Sequence, residues 1–409
     1  MRVLVCSIDF QPREGGISTF AYEVSQSLKK QGNEVVVLAP QTEGQEAFDK
    51  TCPLEIVRTD FQVIALKKDI SGLRHEAHCL RSSLRLMRRI IKERKIDSIL
   101  CFHWRIFGPI GLLISKFSRV KFFLVGHGLE LAPYRDRPVK GQPWNIALSN
   151  LLHNAVLKAE FFVRGANFRG AKAVFVPSEF TKKMILDLGV KDERIFVTNC
   201  GVDIQKFNPD RGCNGVRSGY GIEGKKVILS LGRLIRRKGV DMALQAMPRV
   251  LESVEDAVYL IVGQGEYERQ LRRIAAKQKL NGQVIFAGYV PDYRIPDFYN
   301  ACDLFLMPAR ECPGGDVEGF GIVFLEANAC GKPVIGGRSG GVTEAVVDET
   351  SGLLVDPRSK DELSGAIIRL LTDKNLSKEL GSRGRQRVVD NFTWDAVARR
   401  FHENMSRVN

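Results

Sequence analysis

The sequence predicts an α/β protein made of two doubly wound domains. Apolar runs typical of buried strands alternate with amphipathic helical segments from the first residues onward, and the second half of the chain repeats this order. The length of 409 residues supports two domains, because a single hydrophobic core stops growing at about 250 to 300 residues. We expect the first domain to cover residues 1–205 and the second to cover 206–391, with the glycine-rich stretch 211–224 as the best linker.

The chain begins with a βαβ unit. A strand at residues 2–8 is followed by a loop that contains Gly15 and Gly16, by an amphipathic helix, and by a second strand at residues 34–40. In doubly wound sheets, ligands bind at the carboxyl ends of the strands. The glycine pair lies at such a position, where it either lets the backbone approach a phosphate or a sugar, or simply forms a tight turn.

A basic amphipathic helix is predicted at residues 72–95. It either lies on anionic lipid or packs on the sheet with a solvated basic face. Residues 51–200 contain 26 Lys plus Arg and 13 Asp plus Glu, which accounts for nearly all of the net charge of +14. This excess favours an anionic partner such as a membrane surface, a phosphorylated acceptor or a nucleic acid, although a solvated surface would have the same composition.

Two strands of the first half end close to a histidine, at His103 and His127. His127 lies in a Gly-His-Gly motif, in which the glycines leave room for a ligand beside the ring. A lone histidine is more often structural than catalytic, but a position at the carboxyl end of a central strand favours the catalytic interpretation. After the following strand, Ser178 is suited to cap the next helix.

In the second half, Arg233 and Lys238 follow the first strand and precede a helix, which is a natural place for a phosphate. The same stretch has four basic residues in six, so a solvated surface explains its composition equally well. A glycine motif at Gly263 lacks the third glycine and the acidic residue of a dinucleotide fingerprint, and we discount it.

The stretch 308–337 is the most informative part of the chain. Glu318 and Glu326 stand eight residues apart, and Gly319 and Gly321 precede an apolar run that predicts a short helix. When a helix begins directly after a glycine-rich loop, its first N–H groups are free, and they and the positive end of the helix dipole can bind an anion. On a mostly helical segment the two carboxylates would stand about 12 Å apart, which suits the two ends of an elongated ligand better than the hydrolysis of one bond. Two solvated carboxylates are the plain alternative.

The absence of certain motifs and segments argues against several other classes of protein. It has no run of about 18 apolar residues for a membrane span and no signal-peptide cleavage site near its start. Asp-x-Asp, HExxH, GxSxG and Walker A motifs are absent as well. Nine scattered cysteines without paired spacing indicate reduced thiols, and we expect a cytoplasmic protein.

Taken in order, several motifs resemble those of the retaining glycosyltransferases of family 4, which have the GT-B fold. They are the pair Gly15-Gly16, GHG, PSEF, NCGVD, GRLIRRKG, VGQGEYE and EGFGIVFLE. The resemblance covers nearly the whole chain and implies two Rossmann-like domains facing across a cleft, with the C-terminal helix at 392–409 crossing back to the first domain. The stretch GGDVEGFGIVFLEANACGKPVIGG is also similar to bacterial mannosyltransferases that use GDP-mannose to build phosphatidylinositol mannosides and lipid-linked saccharides.

The resemblance also implies roles for particular residues. Arg233 and Lys238 would neutralise the donor diphosphate in place of a metal ion, Glu318 would hold the sugar hydroxyls, and His127 would contact the sugar. These four are the expected catalytic residues, and no enzyme nucleophile is assigned. The other residues expected to bind the nucleotide sugar are Gly15, Gly16, Gly232, Val290, Phe320, Gly321, Ile322, Val323 and Glu326. Glu326 would bind the ribose hydroxyls.

The expected enzyme is a retaining hexosyltransferase that binds no cofactor or metal and takes a nucleotide sugar, with GDP-mannose as the best-matching donor. Its acceptor would be lipid-linked and its site of action the inner face of the cell membrane, where residues 132–168 with Trp144, Phe161 and Phe162 would help to form the acceptor surface. The alternatives are a UDP-sugar-dependent enzyme of the same family, a nucleotide-sugar 2-epimerase and a basic nucleic-acid-binding protein. Aromatic residues are sparse in the basic stretch, so we expect no nucleic acid partner.

Overall fold

Two compact units, each with its own parallel β-sheet, make up the structure, which is a computed structural model. The residues that the structure describes are 1–13, 15–60, 70–128 and 160–408. The first unit consists of Met1–Thr198 together with Trp394–Asn409, and the second consists of Asn199–Thr393. Two Rossmann-like units confirm the predicted α/β fold class.

The first unit is built on seven parallel strands in the order β3-β2-β1-β4-β5-β6-β7. These strands are β1 (Arg2–Cys6), β2 (Glu34–Ala39), β3 (Glu55–Arg58), β4 (Ser98–Cys101), β5 (Lys121–Val125), β6 (Ala173–Val176) and β7 (Ile195–Val197). Most of them are continuous apolar runs, because helices cover both faces of a parallel sheet. In register, Cys6 pairs with Cys101, and Cys101 pairs with Leu124, so the carboxyl ends of three central strands meet at one edge.

Helices of the first unit lie on both faces of this sheet. They are α1 (Gly16–Lys30), α2 (Gln45–Thr51), α3 (Ile70–Glu93), α4 (Phe107–Phe117), α5 (residues 160–170), α6 (Glu179–Leu186) and the C-terminal helix (Trp394–Arg407). On one face, the Phe20 ring of α1 lies 5.8 Å from Trp394 and 6.1 Å from Phe401, measured between ring centroids. The C-terminal helix therefore packs on the first unit, as predicted. The hydroxyl of Ser178 accepts a hydrogen bond from the Thr181 N–H and caps α6.

Helix α3 packs its apolar side on the other face of the sheet. Met87 and Ile90 are buried in the same core as the α4 residues Ile110 and Ile114. The basic side chains of α3 that the structure describes face outward and are exposed: Arg81, Arg85, Arg88, Arg89 and Lys92. Of the two alternatives for this helix, the structure supports packing on the sheet with a solvated basic face.

The second unit is built on six parallel strands in the order β10-β9-β8-β11-β12-β13. These strands are β8 (Lys226–Leu231), β9 (Ala257–Val262), β10 (Val284–Gly288), β11 (Leu304–Met307), β12 (Val334–Gly337) and β13 (Leu353–Val355). The helices are α7 (Val216–Gly219), α8 (Val240–Ser253), α9 (Glu268–Lys277), α10 (Ile295–Ala301), α11 (Ile322–Ala329), α12 (Val342–Ala345), α13 (Lys360–Thr372) and α14 (Lys374–Asn391). The loops that follow β8 and β11, together with α11, carry most of the predicted donor-binding residues.

The predicted linker at residues 211–224 does not join the two units. It lies within the second unit, where Val216 and Ile222 are buried in the hydrophobic core. Its glycines and polar residues suggested a flexible connection. Burial of these two apolar side chains removes their surface from water, which is favourable and holds the short glycine-rich segment on the core.

Candidate active site

Glu318 lies in the loop between β11 and α11, where its carboxylate binds two cations. The ammonium nitrogen of Lys238 is 2.7 Å from Glu318 Oε2, and the guanidinium of Arg237 contacts the same oxygen. The Glu318 side chain is only 14% exposed. Burial by itself would raise the pKa of the Glu318 carboxyl, but the charges of Lys238 and Arg237 outweigh it and lower this pKa to about 2. The carboxylate is therefore ionised at neutral pH.

Arg237 is a site residue that sequence reasoning missed. Its side chain is 7% exposed, and its Nε atom lies 2.9 Å from Asp316 Oδ1. Arg237 thus holds both Asp316 and Glu318, two carboxylates of the same loop. In the sequence it is one of four basic residues in six, and composition alone does not tell which of them is buried.

The turn that carries Arg237 and Lys238 is fixed against the end of β11. A Cβ atom at the next residue, Gly239, would lie 2.0 Å from the carbonyl oxygen of Pro308, so only glycine lets the two segments pass this closely. The Arg310 N–H also donates to the Arg237 carbonyl oxygen at 2.9 Å. The cations and the carboxylate of the cluster therefore stand on two backbone segments that are tied to each other.

Arg233 lies in the same loop as Lys238 but takes no part in the ion pairs of Glu318. Its side chain is exposed, and among the residues that the structure describes it has no hydrogen-bond or ion-pair partner. Together with Gly232 and Lys238 it lines a small pocket at the carboxyl end of β8. The structure thus brings these three predicted residues together, and the guanidinium of Arg233 is available to an anionic ligand.

The glycine loop opens a short helix, as predicted from the sequence. Gly321 has a φ of 97°, in the left-handed region that favours glycine, and α11 begins at Ile322. The Phe320 side chain is buried against the core of the second unit, while Ile322 and Val323 are partly buried. This segment therefore presents chiefly its backbone at the helix N-terminus, where N–H groups and the helix dipole favour an anion.

Glu326 lies on α11 and receives a hydrogen bond from a tyrosine that sequence reasoning missed. The hydroxyl of Tyr299 donates to Glu326 Oε2 at 2.7 Å. Tyr299 is fully buried, and Glu326 is partly buried. Burial raises the pKa of the Glu326 carboxyl, and the hydrogen bond from Tyr299 partly opposes this. Twenty-seven residues separate the two positions, so no local pattern could have paired them.

The loop of residues 288–291, which carries the predicted donor-binding residue Val290, follows β10. The N–H of Gly263, at the end of β9, donates to the Gly288 carbonyl oxygen at 2.7 Å. Val290 packs partly buried against the core, and Tyr289 is 54% exposed. This loop therefore begins at the same edge of the sheet as the loops after β8 and β9.

In the first unit, His127 is held at the end of β5. Its Nε2 atom lies 2.9 Å from the carbonyl oxygen of Phe102, and because a carbonyl only accepts, Nε2 carries the hydrogen. Burial lowers the pKa of His127 to about 3, so the ring is neutral at physiological pH. His103 lies beside it, with 5.8 Å between ring centroids, and His103 Nε2 is 3.5 Å from Asp9 Oδ2. The hydrogen bond with His103 lowers the pKa of the Asp9 carboxyl.

The predicted glycine pair of the first unit lies at the start of α1. Gly15 has a φ of 150° and precedes the helix, which begins at Gly16. A Cβ atom at either glycine would meet no atom within 4 Å. The space beside this backbone is therefore open, so a ligand could approach it closely, and Gly15 is needed for its positive φ.

The predicted acceptor surface falls mostly outside the described residues. Residues 132–159, including Trp144, are not among them. Phe161 and Phe162 lie in α5, with 51% and 70% of their surface exposed. These two side chains are accessible, and their role at the acceptor remains a prediction.

The architecture of each unit is that of the GT-B class of glycosyltransferases. HepE from Anabaena, solved in complex with UDP and glucose, superposes on this chain with a TM-score of 0.75 at 18% identity, covering 99% of both chains. Sucrose-phosphate synthase from Thermosynechococcus elongatus gives a TM-score of 0.76 at 21% identity, covering 100% of this chain and 99% of that one. At this level of sequence identity, the structural similarity establishes the fold.

Sequence comparison places the chain in a family. Residues 14–206 match the model of Glycosyltransferase Family 4, and residues 217–387 match that of Glycosyl transferases group 1. The GDP-mannose-dependent alpha-(1-6)-phosphatidylinositol monomannoside mannosyltransferase of Mycobacterium tuberculosis is 31% identical over 403 residues, covering 97% of this chain and 96% of its own. A monoacylated-acceptor counterpart in Corynebacterium glutamicum is 31% identical over 414 residues, covering 98% and 96%. The chain therefore belongs to the family 4 glycosyltransferases and is a retaining enzyme that uses a nucleotide-sugar donor.

Within the described part of the chain, no helix combines the length and the apolar character needed to cross a bilayer.

Proposed function

We propose that this enzyme transfers mannose from GDP-mannose to a lipid-linked acceptor, with retention of the anomeric configuration. The observation that carries the proposal is the Glu318–Lys238 contact of 2.7 Å, together with the pocket at the end of β8 that Lys238 and Arg233 line. The full-length similarity to GDP-mannose-dependent mannosyltransferases supports the choice of donor. A UDP-sugar donor is the alternative within the same family.

In this proposal, Arg233 and Lys238 bind the donor diphosphate. Charge on the leaving diphosphate grows in the transition state, so cations placed there stabilise the transition state more than the bound substrate. Lys238 would divide its interactions between the phosphate and Glu318, while Arg237 keeps Glu318 ionised and in place. We further propose that these cations replace a metal ion, so that transfer continues in the presence of EDTA.

The remaining predicted residues have complementary roles. Glu318 accepts hydrogen bonds from the sugar hydroxyls through its second oxygen, and Glu326 accepts them from the ribose. Gly232, Gly321 and Val323 contribute backbone contacts near the phosphates. The other proposed backbone and apolar contacts with the donor are those of Gly15, Gly16, Val290, Phe320 and Ile322. His127 offers a neutral ring to the sugar.

We propose a lipid-linked acceptor at the inner face of the cell membrane and a cytoplasmic enzyme that binds this surface peripherally. The basic charge of residues 51–200 supports an anionic partner there, and the related mannosyltransferases are named for phosphatidylinositol acceptors. No nucleic acid is expected to bind.

Thermal unfolding with GDP, UDP and ADP tests the donor. A ligand at about 100 times its dissociation constant stabilises the fold by about 2.7 kcal/mol, which is readily measured. We expect GDP to be the most stabilising. Selective stabilisation by UDP would retain the family and discard mannose, whereas no response to any of the three would contradict nucleotide-sugar binding.

Product analysis tests the reaction. With radiolabelled GDP-mannose and a phosphatidylinositol mannoside extract, we expect label in the lipid fraction. In the absence of acceptor, a 2-epimerase would still convert the donor sugar, whereas a transferase would at most hydrolyse it slowly. Conversion to an epimeric sugar without acceptor would overturn the proposed function.

A further inference from the structure

Asp241 and Arg310 form a buried ion pair that has no part in the mechanism described so far. Asp241 lies in the first turn of α8, and Arg310 lies in the loop that follows β11. Arg310 Nη2 is 2.8 Å from Asp241 Oδ2, and the two side chains are 8% and 9% exposed. Burial by itself would lower the pKa of the Arg310 guanidinium, but the hydrogen bond and the charge of Asp241 outweigh it and raise this pKa. The guanidinium therefore remains charged inside the second unit.

This pair spans the turn that carries Lys238. The Arg310 N–H donates to the Arg237 carbonyl oxygen at 2.9 Å, and the Arg310 side chain binds Asp241 on the other side of Lys238 in the chain. Further along, the same loop presents Glu318, the carboxylate that Lys238 contacts. Arg310 therefore ties the segment that carries the cation to the segment that carries the carboxylate.

The glycine motif after β9, which does not match a dinucleotide fingerprint, also holds this turn. The Leu234 N–H donates to the Gln264 carbonyl oxygen at 2.9 Å, and the Tyr267 N–H donates to the Leu234 carbonyl oxygen at 3.0 Å. Burial raises the pKa of the Tyr267 hydroxyl, and the negative charge of Asp241 raises it further, which places this side chain near the ion pair. Two separate segments thus support the turn, and the ion pair lies close to both.

Net stability is a poor explanation for such a pair. Removing two charges from water opposes their mutual attraction, so a buried ion pair often adds little to stability. Its geometry is nevertheless strict, because a charge left inside without its partner is strongly unfavourable. A pair of this kind therefore specifies where two segments lie.

We propose that Asp241 and Arg310 are positioning residues of the donor site, which set the place of Lys238 relative to Glu318. Neither touches the substrate, because both are buried and their charged groups bind each other. A displacement of about 1 Å at the reacting centre can lower a rate by about 100-fold. Since Lys238 acts on charge that grows in the transition state, the pair should affect turnover more than donor affinity. This inference rests on the proposed function and adds to it the residues that place Lys238.

Steady-state kinetics of the full-length protein with GDP-mannose and the phosphatidylinositol mannoside extract tests the inference. Asp241→Asn keeps the shape of the side chain and removes its charge, so we expect kcat to fall about tenfold while the affinity for GDP stays within about twofold of the wild type. Arg310→Lys is the milder variant. It keeps a positive charge without the planar fork of arginine and should lower kcat by about threefold.

Combining each change with Lys238→Ala separates positioning from a general loss of structure. If the pair acts through Lys238, the double variant should have the kcat of Lys238→Ala alone, because the group that the pair positions is gone. A pair with only a structural role would lower kcat by the same factor in both backgrounds, through a smaller fraction of folded enzyme.

The titration of Glu318 gives a second measurement, which needs no substrate. In Asp241→Asn, Lys238 should move away from Glu318, so the pKa of this carboxyl should rise from about 2 toward its ordinary value. The effect of Glu318→Gln on the free energy of unfolding should therefore change less between pH 5 and pH 2 in this background than in the wild-type background.

Asp297→Asn is the matched control. Asp297 is another buried carboxylate of the second unit, with a side chain that is 4% exposed, and it pairs with Arg211 and Arg294. Like Asp241→Asn, this change should lower the denaturant concentration at the midpoint of unfolding. It should leave both kcat and the titration of Glu318 as they are in the wild type.

Two results would overturn the inference. The first is that Asp241→Asn and Lys238→Ala lower kcat by independent factors that multiply. The second is that Asp241→Asn keeps the same kcat and the same Glu318 titration as Asp297→Asn. In both cases the proposed function stands, since Lys238→Ala alone still lowers kcat. An unchanged kcat in Lys238→Ala would instead contradict the proposed role of Lys238 and, with it, this inference.

Discussion

The ammonium group of Lys238 lies 2.7 Å from the carboxylate of Glu318, on a segment tied to the end of the neighbouring strand. Arg237 shares the same carboxylate oxygen. One carboxylate thus has two cations, and the positive charge of the cluster exceeds what Glu318 can neutralise. Asp316 supplies the second negative charge, and it contacts Arg237 and not Lys238. Lys238 is therefore the member of the cluster that is best placed to bind a phosphate as well.

Removing Lys238 is expected to reduce turnover more than substrate binding. In Lys238→Ala, kcat should fall by about 100-fold or more, because its charge acts on the leaving diphosphate. Arg233→Ala should behave similarly without a change in stability, since the side chain is exposed. Steady-state kinetics with GDP-mannose and acceptor would measure both, and Arg236→Ala, an exposed neighbour in the same turn, is the control. Unchanged kcat in both variants would contradict the role of these cations.

The Glu318 cluster should make stability depend on pH in the acid range. The pKa of the Glu318 carboxyl is about 2 in the folded protein and 4.5 normally, so the unfolded chain binds a proton more readily than the folded protein. The stabilisation is fully present above about pH 4.5 and is lost as pH falls through the folded pKa. In Glu318→Gln we expect a loss of about 2 to 3 kcal/mol at pH 7.

Chemical unfolding of the wild type and Glu318→Gln at several pH values would measure this dependence. The difference between the two proteins should shrink steadily as the pH falls from 5 toward 2, which separates Glu318 from the other carboxylates of the chain. A difference that stays constant over this range would show that the carboxylate charge contributes nothing to stability.

Tyr299→Phe is expected to weaken donor binding through Glu326. The change removes the hydroxyl that donates to Glu326 at 2.7 Å while keeping the buried ring, so stability should fall by only about 1 kcal/mol. Because burial already raises the pKa of Glu326, loss of this hydrogen bond should raise it further. The affinity for GDP should therefore decline at a higher pH than in the wild type.

Isothermal titration with GDP across pH 5 to 8 would follow this decline. Tyr259→Phe is the matched control, since Tyr259 is equally buried and its hydroxyl bonds with Ser230 instead. If both variants lose stability alike and bind GDP like the wild type, Tyr299 has no part in positioning Glu326.

Parts of the fold and the site followed from the sequence, because their causes are local. Buried parallel strands are continuous apolar runs, and a glycine before an apolar segment marks the start of a helix, as it does at Gly321. Arg233 and Lys238 could be placed at the end of a strand because they directly follow the apolar run of β8. These features depend on neighbours within a few residues.

Other parts depend on residues that are far apart in the chain. Which of the four basic residues at 233–238 is buried against Glu318 is decided by a loop about 80 residues away, so Arg237 could not be chosen in advance. The partner of Glu326 comes from another helix, α10. In the same way, the apolar side of α3 would suit lipid or a sheet equally well, and only the tertiary structure shows that Met87 and Ile90 are covered by the core.

His127 should make the protein less stable as the pH falls. The pKa of His127 is about 3 in the folded protein and 6.5 normally, so between these values the unfolded chain binds a proton that the ring does not bind in the folded protein. The loss of stability is absent above about pH 6.5 and grows as the pH falls toward the folded pKa, by up to about 1.4 kcal/mol per pH unit.

The variant His127→Gln tests this expectation, because it keeps a neutral donor for the Phe102 carbonyl oxygen and removes the titration of the ring. Unfolding free energies measured from pH 7 to 4 should therefore fall less steeply in the variant than in the wild type. Equal slopes for wild type and His127→Gln would mean that His127 titrates normally in the folded protein and that its ring is not held in the neutral form.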